Sequence, residues 1–232
     1  MWDKPHELNH FSSALFAISC VLLLCGVLNH VMRLPVFALR AVHLTAAPQR
    51  VDAERIESVV RTELRGNFFT VNLEESRQAF EKLPWVRKVS VRRQFPWRLE
   101  VSLEEHEALA SWNGVALVNT YGEIFNATTD QILPGFIGQA DTAHEVTQMY
   151  ATFSNQLAPL QQHITQISLS PRHAWQLRLS SGMLLKLGRE QAQQRLARFT
   201  SVDLPQDGGA VQYVDLRYRN GFAVMYKQPG QV

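Results

Sequence analysis

One apolar stretch constrains this chain more than any other feature. Residues 11–32, FSSALFAISCVLLLCGVLNHVM, contain no Asp, Glu, Lys or Arg. At the helical rise of 1.5 Å per residue they span about 33 Å, close to the thickness of the hydrocarbon core of a bilayer. The rest of the sequence has the composition of a soluble protein. The sequence therefore predicts a tail at residues 1–10, a transmembrane helix at 11–32 and a larger region on the other side.

Two other interpretations of the stretch are weaker. A signal peptide has an apolar core of about 7–15 residues, and this stretch is longer. Arg33-Leu34-Pro35 provides no clean cleavage site, although Ala46-Ala47 is small. A core helix of a soluble protein would show a polar stripe, which is not present here. Lys4 before the stretch and Arg33 and Arg40 after it leave the orientation open, but the short tail favours a location of the larger region outside the cytoplasm.

Composition and motifs exclude several classes of function. The net charge of +2 gives no electrostatic argument for nucleic-acid binding. Both cysteines, Cys20 and Cys25, lie in the apolar stretch, so we expect no disulfide framework. The chain lacks the common zinc-protease, hydrolase, phosphate-loop and dinucleotide motifs. The adjacent Glu104 and Glu105 would point to opposite faces of a strand, so they could not act together on one substrate. We therefore expect no catalytic residue, metal, cofactor or small-molecule substrate.

Residues 35–106 have the pattern of a small α+β unit. A strand is predicted within 35–47, followed by helices that begin after Asp52 and after Asn72, both good N-cap residues. Two alternating strands, 86–94 and 98–105, follow with Pro96 at the turn between them. With Pro96 at the apex, opposite charges meet on one face and valines on the other. The expected cross-strand pairs are Lys88–Glu104, Val89–Leu103, Ser90–Ser102, Val91–Val101 and Arg92–Glu100.

Residues 107–228 are predicted to form a mostly antiparallel β domain with two helices. Short alternating segments indicate strands, and helical spacing is found at 144–157 and 190–199. Asn220-Gly221 is a favoured two-residue hairpin turn. It would place Tyr218 opposite Ala223 and Asp215 opposite Tyr226. Because a terminal strand is often an edge strand, its backbone could pair with a strand of another chain.

Several blocks of this sequence resemble the bacterial cell-division family FtsQ/DivIB, and they occur in the family's order along nearly the whole chain. The blocks are Gly66-Asn67-Phe68-Phe69-Thr70-Val71, Leu83-Pro84-Trp85-Val86-Arg87-Lys88-Val89-Ser90-Val91-Arg92-Arg93, Trp112, Leu117-Val118-Asn119, Gly122-Glu123-Ile124-Phe125, Leu187-Gly188-Arg189, Arg195-Leu196-Ala197-Arg198-Phe199 and Val214-Asp215-Leu216-Arg217-Tyr218 with Gly221.

The resemblance implies a POTRA domain of order β-α-α-β-β, a C-terminal β domain and a non-enzymatic divisome scaffold that links early and late division proteins. It implies a single-pass type II protein of the bacterial inner membrane, with its bulk in the periplasm and enriched at the septum. The implied partners are FtsB and FtsL, besides other division proteins. The family's FtsB-binding positions match Arg217, Tyr218, Gly221 and Tyr226. Its recruitment positions on the second POTRA strand match Lys88, Val91 and Arg93.

Two other functions stay open at this stage. A membrane-tethered periplasmic enzyme acting on the cell wall would need a clustered nucleophile or metal set, which the sequence does not indicate. A POTRA-bearing outer-membrane assembly factor would need a long alternating barrel region after residue 106. Co-purification with division proteins would separate both from the scaffold.

Overall fold

Helix α1, Pro5–Met32, contains the apolar stretch. It belongs to a computed structural model that describes residues 5–39, 41–64, 66–202 and 211–226, with side chains from residue 11 onward. Within those ranges one helix is long and apolar enough to cross a membrane, at Phe11–Met32, and none of that span is buried. The helix begins at Pro5, inside the predicted tail, because proline suits the first helical turn. Residues 1–4, 40, 65, 203–210 and 227–228 of the predicted domains lie outside the described residues.

The chain divides into two units between Glu105 and His106. In the first unit, α1 is followed by a 3-10 turn at Pro35–Phe37 and then by β1, Ala41–Leu44. The strand is therefore shorter than predicted, because Pro35 opens a helical turn instead. The remaining elements are α2 at Ala53–Glu63, α3 at Leu73–Glu81, β2 at Val86–Gln94 and β3 at Arg98–Glu105.

The order of these elements, β-α-α-β-β, confirms the prediction. Both helices begin at the expected caps: the Asp52 carboxylate accepts a hydrogen bond from the Glu54 N–H, and the Asn72 amide oxygen accepts from the N–H groups of Glu74 and Glu75. In the sheet, of order β1-β3-β2, β1 runs parallel and β2 antiparallel to β3. All five predicted cross-strand pairs of the hairpin are observed.

The hairpin keeps this register because one of its faces is buried. Val89 and Val101 lie in a core with Ile56 of α2 and Phe80 of α3. A slip by one residue would expose the valines and bury the charged side chains of the other face. The helices therefore cover one face of the sheet and leave the other face polar.

Within its described residues, the second unit contains one large sheet and two α-helices. Its elements are β4 at Ala108–Trp112, β5 at Ala116–Asn119, β6 at Ile124–Phe125, β7 at Gly135–Ile137, α4 at Ala143–Leu157, β8 at Ile164–Leu169, β9 at Trp175–Leu179, β10 at Leu184–Gly188, α5 at Ala192–Thr200, β11 at Val211–Asp215 and β12 at Ala223–Tyr226. Among the described residues the strand order is β12-β11-β10-β9-β8-β7-β4-β5-β6.

Most neighbouring strands of this sheet are antiparallel, and the α+β class is confirmed. Three pairs are parallel: β10 with β11, β7 with β8, and β4 with β7. The core contains Phe136 of β7, Phe153 of α4 and Leu196 of α5, all fully buried. β7 has no counterpart in the sequence prediction. Its three residues are too few to show an alternating pattern.

Candidate partner-binding site

The last strand, β12, lies at an edge of the large sheet. Within the described part of the chain, its strand partner is β11 on one side, and no strand lies on the other. In an antiparallel edge strand, alternate residues direct their backbone N–H and C=O groups away from the sheet. Such groups can pair with a strand of another protein. The predicted edge position is therefore confirmed for these residues.

The predicted register of the last hairpin is wrong. The observed pairs are Asp215↔Ala223, Val214↔Val224 and Tyr213↔Met225, so β11 ends three residues earlier than predicted. Residues 216–222 form a loop in place of a two-residue turn. The cause is a long-range contact: Leu216 is 2% exposed, and its N–H donates to the Lys186 carbonyl of β10 at 2.9 Å. This contact keeps the chain against β10 for one residue beyond its last pair with β12, an interaction that the local turn signal does not encode.

Arg217 is held at the start of this loop by Asp215. Arg217 Nη2 lies 2.6 Å from Asp215 Oδ2 and Arg217 Nε lies 2.8 Å from Oδ1, while the Arg217 N–H donates to Oδ1 at 3.1 Å. Hydrogen bonding from the guanidinium holds the pKa of Asp215 below its usual range and raises the pKa of Arg217. The Asp215 side chain is 8% exposed and that of Arg217 is 60% exposed. Arg217 is therefore positioned by a buried carboxylate and presented to solvent.

The rest of the loop is fastened to α5. Arg198 Nη1 donates to the Arg219 carbonyl at 2.6 Å, and the rings of Phe199 and Phe222 lie 6.3 Å apart, edge to face. A cavity of about 300 Å³ lies between α5 and the loop, lined in part by Arg195, Val202 and Phe222. These contacts fix the path of the loop beside the edge strand.

Three of the four predicted partner-binding residues lie in this loop. Tyr218 is 58% exposed, Arg217 and Gly221 are exposed, and Tyr226 is half-buried at the far end of β12. Gly221 has a φ outside the left-handed region, and a Cβ built on it meets no atom within 4 Å. The fold of this chain therefore does not itself require glycine there.

Two residues of this surface were not predicted as site residues from the sequence. Met225 of β12 is 46% exposed and lies opposite Tyr213. Asp215 orients Arg217, and the Asp-x-Arg spacing was the available signal, because an aspartate often accepts a hydrogen bond from the N–H two residues later.

The residues predicted for recruitment do not share one face. Lys88 is exposed on the outer face, opposite Glu104. Val91 packs against the core on the helix-covered face. Arg93 also belongs to that face: its Nε donates to the Phe68 carbonyl and its Nη2 to the Val71 carbonyl, both at 2.8 Å. Arg93 therefore fastens the turn before α3 to β2, and Lys88 is the member that points to solvent on the polar face.

Glu104 and Glu105, the two acidic residues considered for catalysis, both have partners within the first unit. Glu104 forms an ion pair with Arg87 at 2.5 Å, and the Glu105 carboxylate accepts hydrogen bonds from the N–H groups of Gln49, Arg50 and Val51. Across the described ranges, no group of three or more His, Cys, Asp and Glu residues could hold a metal ion.

Both units match domains of known protein families. Residues 37–106 match the FtsQ-type POTRA domain, and residues 110–217 match the C-terminal domain of the cell-division proteins FtsQ/DivIB. The chain is 40% identical to the cell division protein FtsQ of Nitrosospira multiformis, over 96% of this chain and 98% of the relative. It is 38% identical to FtsQ of Burkholderia pseudomallei, over 97% and 94%. Both domain matches, together with relatives that are 38–40% identical over nearly their whole length, show that the chain belongs to the FtsQ/DivIB family of cell-division proteins.

Proposed function

We propose that this protein is a non-enzymatic scaffold of the divisome that binds FtsB and FtsL through its C-terminal β domain. In this role it links early and late division proteins and supports septal peptidoglycan synthesis. The observation that carries the proposal is the edge strand β12 beside a loop that presents Arg217 and Tyr218. Family membership supports the role in division, and the edge strand supports a protein partner.

The edge and its flanking side chains have complementary tasks. Pairing of a partner strand with β12 supplies main-chain hydrogen bonds, which select poorly among sequences. Tyr218 and Tyr226 add aromatic area of the kind that dominates interface energetics. Arg217 uses its Nε and one Nη2 hydrogen toward Asp215, and its fork has three more N–H donors. We propose that these take a carboxylate of the partner.

We further propose that α1 anchors the protein once in the bacterial inner membrane, with both folded units in the periplasm, enriched at the septum. The span Phe11–Met32 is long enough for one crossing. This topology would place β12 where periplasmic segments of single-pass division proteins can reach it.

The test is a titration of the full-length protein, in detergent or nanodiscs, with the periplasmic segment of FtsB. Tyr218→Ala and Tyr226→Ala should each weaken binding between about 5-fold and 150-fold. Gly221→Val should also weaken binding, because its side chain would enter the space that the partner occupies while leaving the fold unchanged.

The matched control is Tyr121→Ala, since Tyr121 is 55% exposed, close to the 58% of Tyr218, and follows β5 toward the other edge of the sheet. It should bind as the wild type does. Wild-type affinity of folded Tyr218→Ala, Tyr226→Ala and Gly221→Val proteins would contradict the proposed site.

A further inference from the structure

Asn67 fastens the end of α1 to the first folded unit. Its Nδ2 donates to the carbonyl of Met32, the last residue of α1, at 2.6 Å. Its Oδ1 accepts hydrogen bonds from the N–H groups of Phe69 and Thr70, each at 3.0 Å. The Phe68 N–H donates to the Phe37 carbonyl at 2.9 Å. The turn at 67–70 is therefore held directly at the end of the membrane-spanning helix.

A chain of aromatic rings extends from this point to the tip of the β2–β3 hairpin. The ring centroids of Phe37 and Phe69 are 4.9 Å apart, those of Phe68 and Phe69 are 5.2 Å apart, and those of Phe68 and Phe95 are 6.1 Å apart. Here Phe95 is 75% exposed, Phe69 is 41% exposed, and Val36, in the 3-10 turn that follows α1, is 60% exposed. We call Val36, Phe69 and Phe95 the juxtamembrane apolar patch.

The chain segments that contain the patch carry only positive charges, although Arg92 lies opposite Glu100 of β3. The segments 33–39, 66–72 and 92–98 contain Arg33, Arg92, Arg93 and Arg98 and no Asp or Glu. Arg93 is engaged with the Phe68 and Val71 carbonyls, while Arg33 and Arg98 are exposed. Exposed aromatic rings among arginines are typical of surfaces at the membrane–water interface, where ring and guanidinium can contact acyl chains and phosphates together.

We propose that the juxtamembrane apolar patch inserts into the headgroup region of the bilayer that α1 crosses. The partner of this patch is the lipid surface, because Asn67, two residues before Phe69, is hydrogen-bonded to Met32, the residue at which the spanning helix ends. The polar interfacial region of each leaflet is about 5–8 Å thick. Successive Cα atoms are 3.8 Å apart, so Phe69, two residues from Asn67, is within reach of that region. The Phe68 ring connects Phe69 to Phe95. The patch would hold the first unit at a fixed tilt on the membrane. This inference rests on membrane anchoring by α1 and is independent of the partner proposed for β12.

The inference is testable with the full-length protein in nanodiscs of phosphatidylethanolamine and phosphatidylglycerol. Cys20→Ala and Cys25→Ala remove the native thiols, and single cysteines at positions 69 and 95 carry a small fluorophore. Lipids with a nitroxide on the headgroup then quench the labels that touch the bilayer. Position 33 serves as the positive control because it follows α1 directly. Position 132 serves as the negative control, since Ile132 is apolar and fully exposed in the second unit. Should the label at 69 prevent folding, position 94, exposed and next to Phe95, replaces it.

Headgroup quenching at positions 69 and 95 should approach that at position 33 and exceed that at position 132 several-fold. Because the quencher is attached to lipid, burial of the label against protein gives no signal. Quenching at 69 or 94 and at 95 equal to that at 132 would overturn the proposal.

Discussion

Glu104 and Glu105 are adjacent carboxylates with different structural environments, so their replacement should have different costs. Glu105 Oε1 accepts hydrogen bonds from the N–H groups of Gln49 at 3.1 Å, Arg50 at 3.0 Å and Val51 at 2.9 Å. Val51 is 6% exposed, so water cannot easily replace its lost acceptor. A hydrogen bond to a charged group contributes about 1.5–3 kcal/mol. We count the bond from Val51 fully and the two exposed bonds as near zero. Glu105→Ala should therefore lower the free energy of unfolding by about 2 kcal/mol.

Glu104→Ala is the matched control. Glu104 forms an ion pair with Arg87, and their side chains are 47% and 22% exposed. Partly solvated pairs of this kind contribute less than about 1 kcal/mol to the stability of the fold. In a unit of this size, 1 kcal/mol shifts the melting temperature by about 4–8 °C. Glu105→Ala should therefore lower the melting temperature of the first unit by about 8–16 °C, and Glu104→Ala by a few degrees at most.

Calorimetry of the full-length protein measures both shifts, and hydrogen exchange detected by mass spectrometry locates the cause. In Glu105→Ala, the amides of residues 49–51 should exchange faster, whereas Glu104→Ala should leave them unchanged. Glu105→Gln, which keeps a neutral acceptor, should lie between the two. Equal melting shifts for the two alanine variants, or unchanged exchange at 49–51, would refute the assignment of Glu105 to this loop.

Two further predictions concern the candidate binding surfaces. Because Arg217 holds the pKa of Asp215 below its ordinary value, the pair stabilises the folded protein above about pH 4, the usual aspartate pKa, and this contribution is lost as pH falls through the lowered pKa. Arg217→Ala should thus lower the melting temperature at pH 7, and the gap from wild type should close below about pH 4; a gap independent of pH would contradict this. Lys88 and Arg92 share the polar face of the POTRA hairpin, and their replacement by Glu should reduce septal localisation in cells, whereas Arg61→Glu on α2 should not. Normal localisation of a folded double variant would exclude a role of that face in recruitment.

The first unit could be predicted closely from sequence because its determinants are local. Alternation and opposite charges in 86–105 set the hairpin register, and Asp52 and Asn72 set the helix starts. The role of Arg93 could not be predicted, since its hydrogen bonds reach carbonyls more than twenty residues away. Its spacing from Lys88 already places the two on opposite faces of β2.

The second unit was less predictable because long-range contacts determine its edge. The Asn220-Gly221 signal favoured a tight turn, but burial of Leu216 against β10 ended β11 at Asp215. The parallel pairing of β10 with β11 joins segments separated by α5, and no local pattern encodes it. The structure has β12 at the sheet edge, as predicted, and Tyr218 is exposed. The pairing register predicted for β11 and β12 was wrong by three residues.

The proposed binding of FtsB to β12 as an added strand can be tested directly. Hydrogen exchange of the full-length protein, measured with and without the periplasmic segment of FtsB, tests this directly. Amides within 223–226 should gain protection on binding, and Gly221→Val should reduce this gain. Protection confined to the POTRA domain, or binding that leaves 223–226 unprotected, would contradict it.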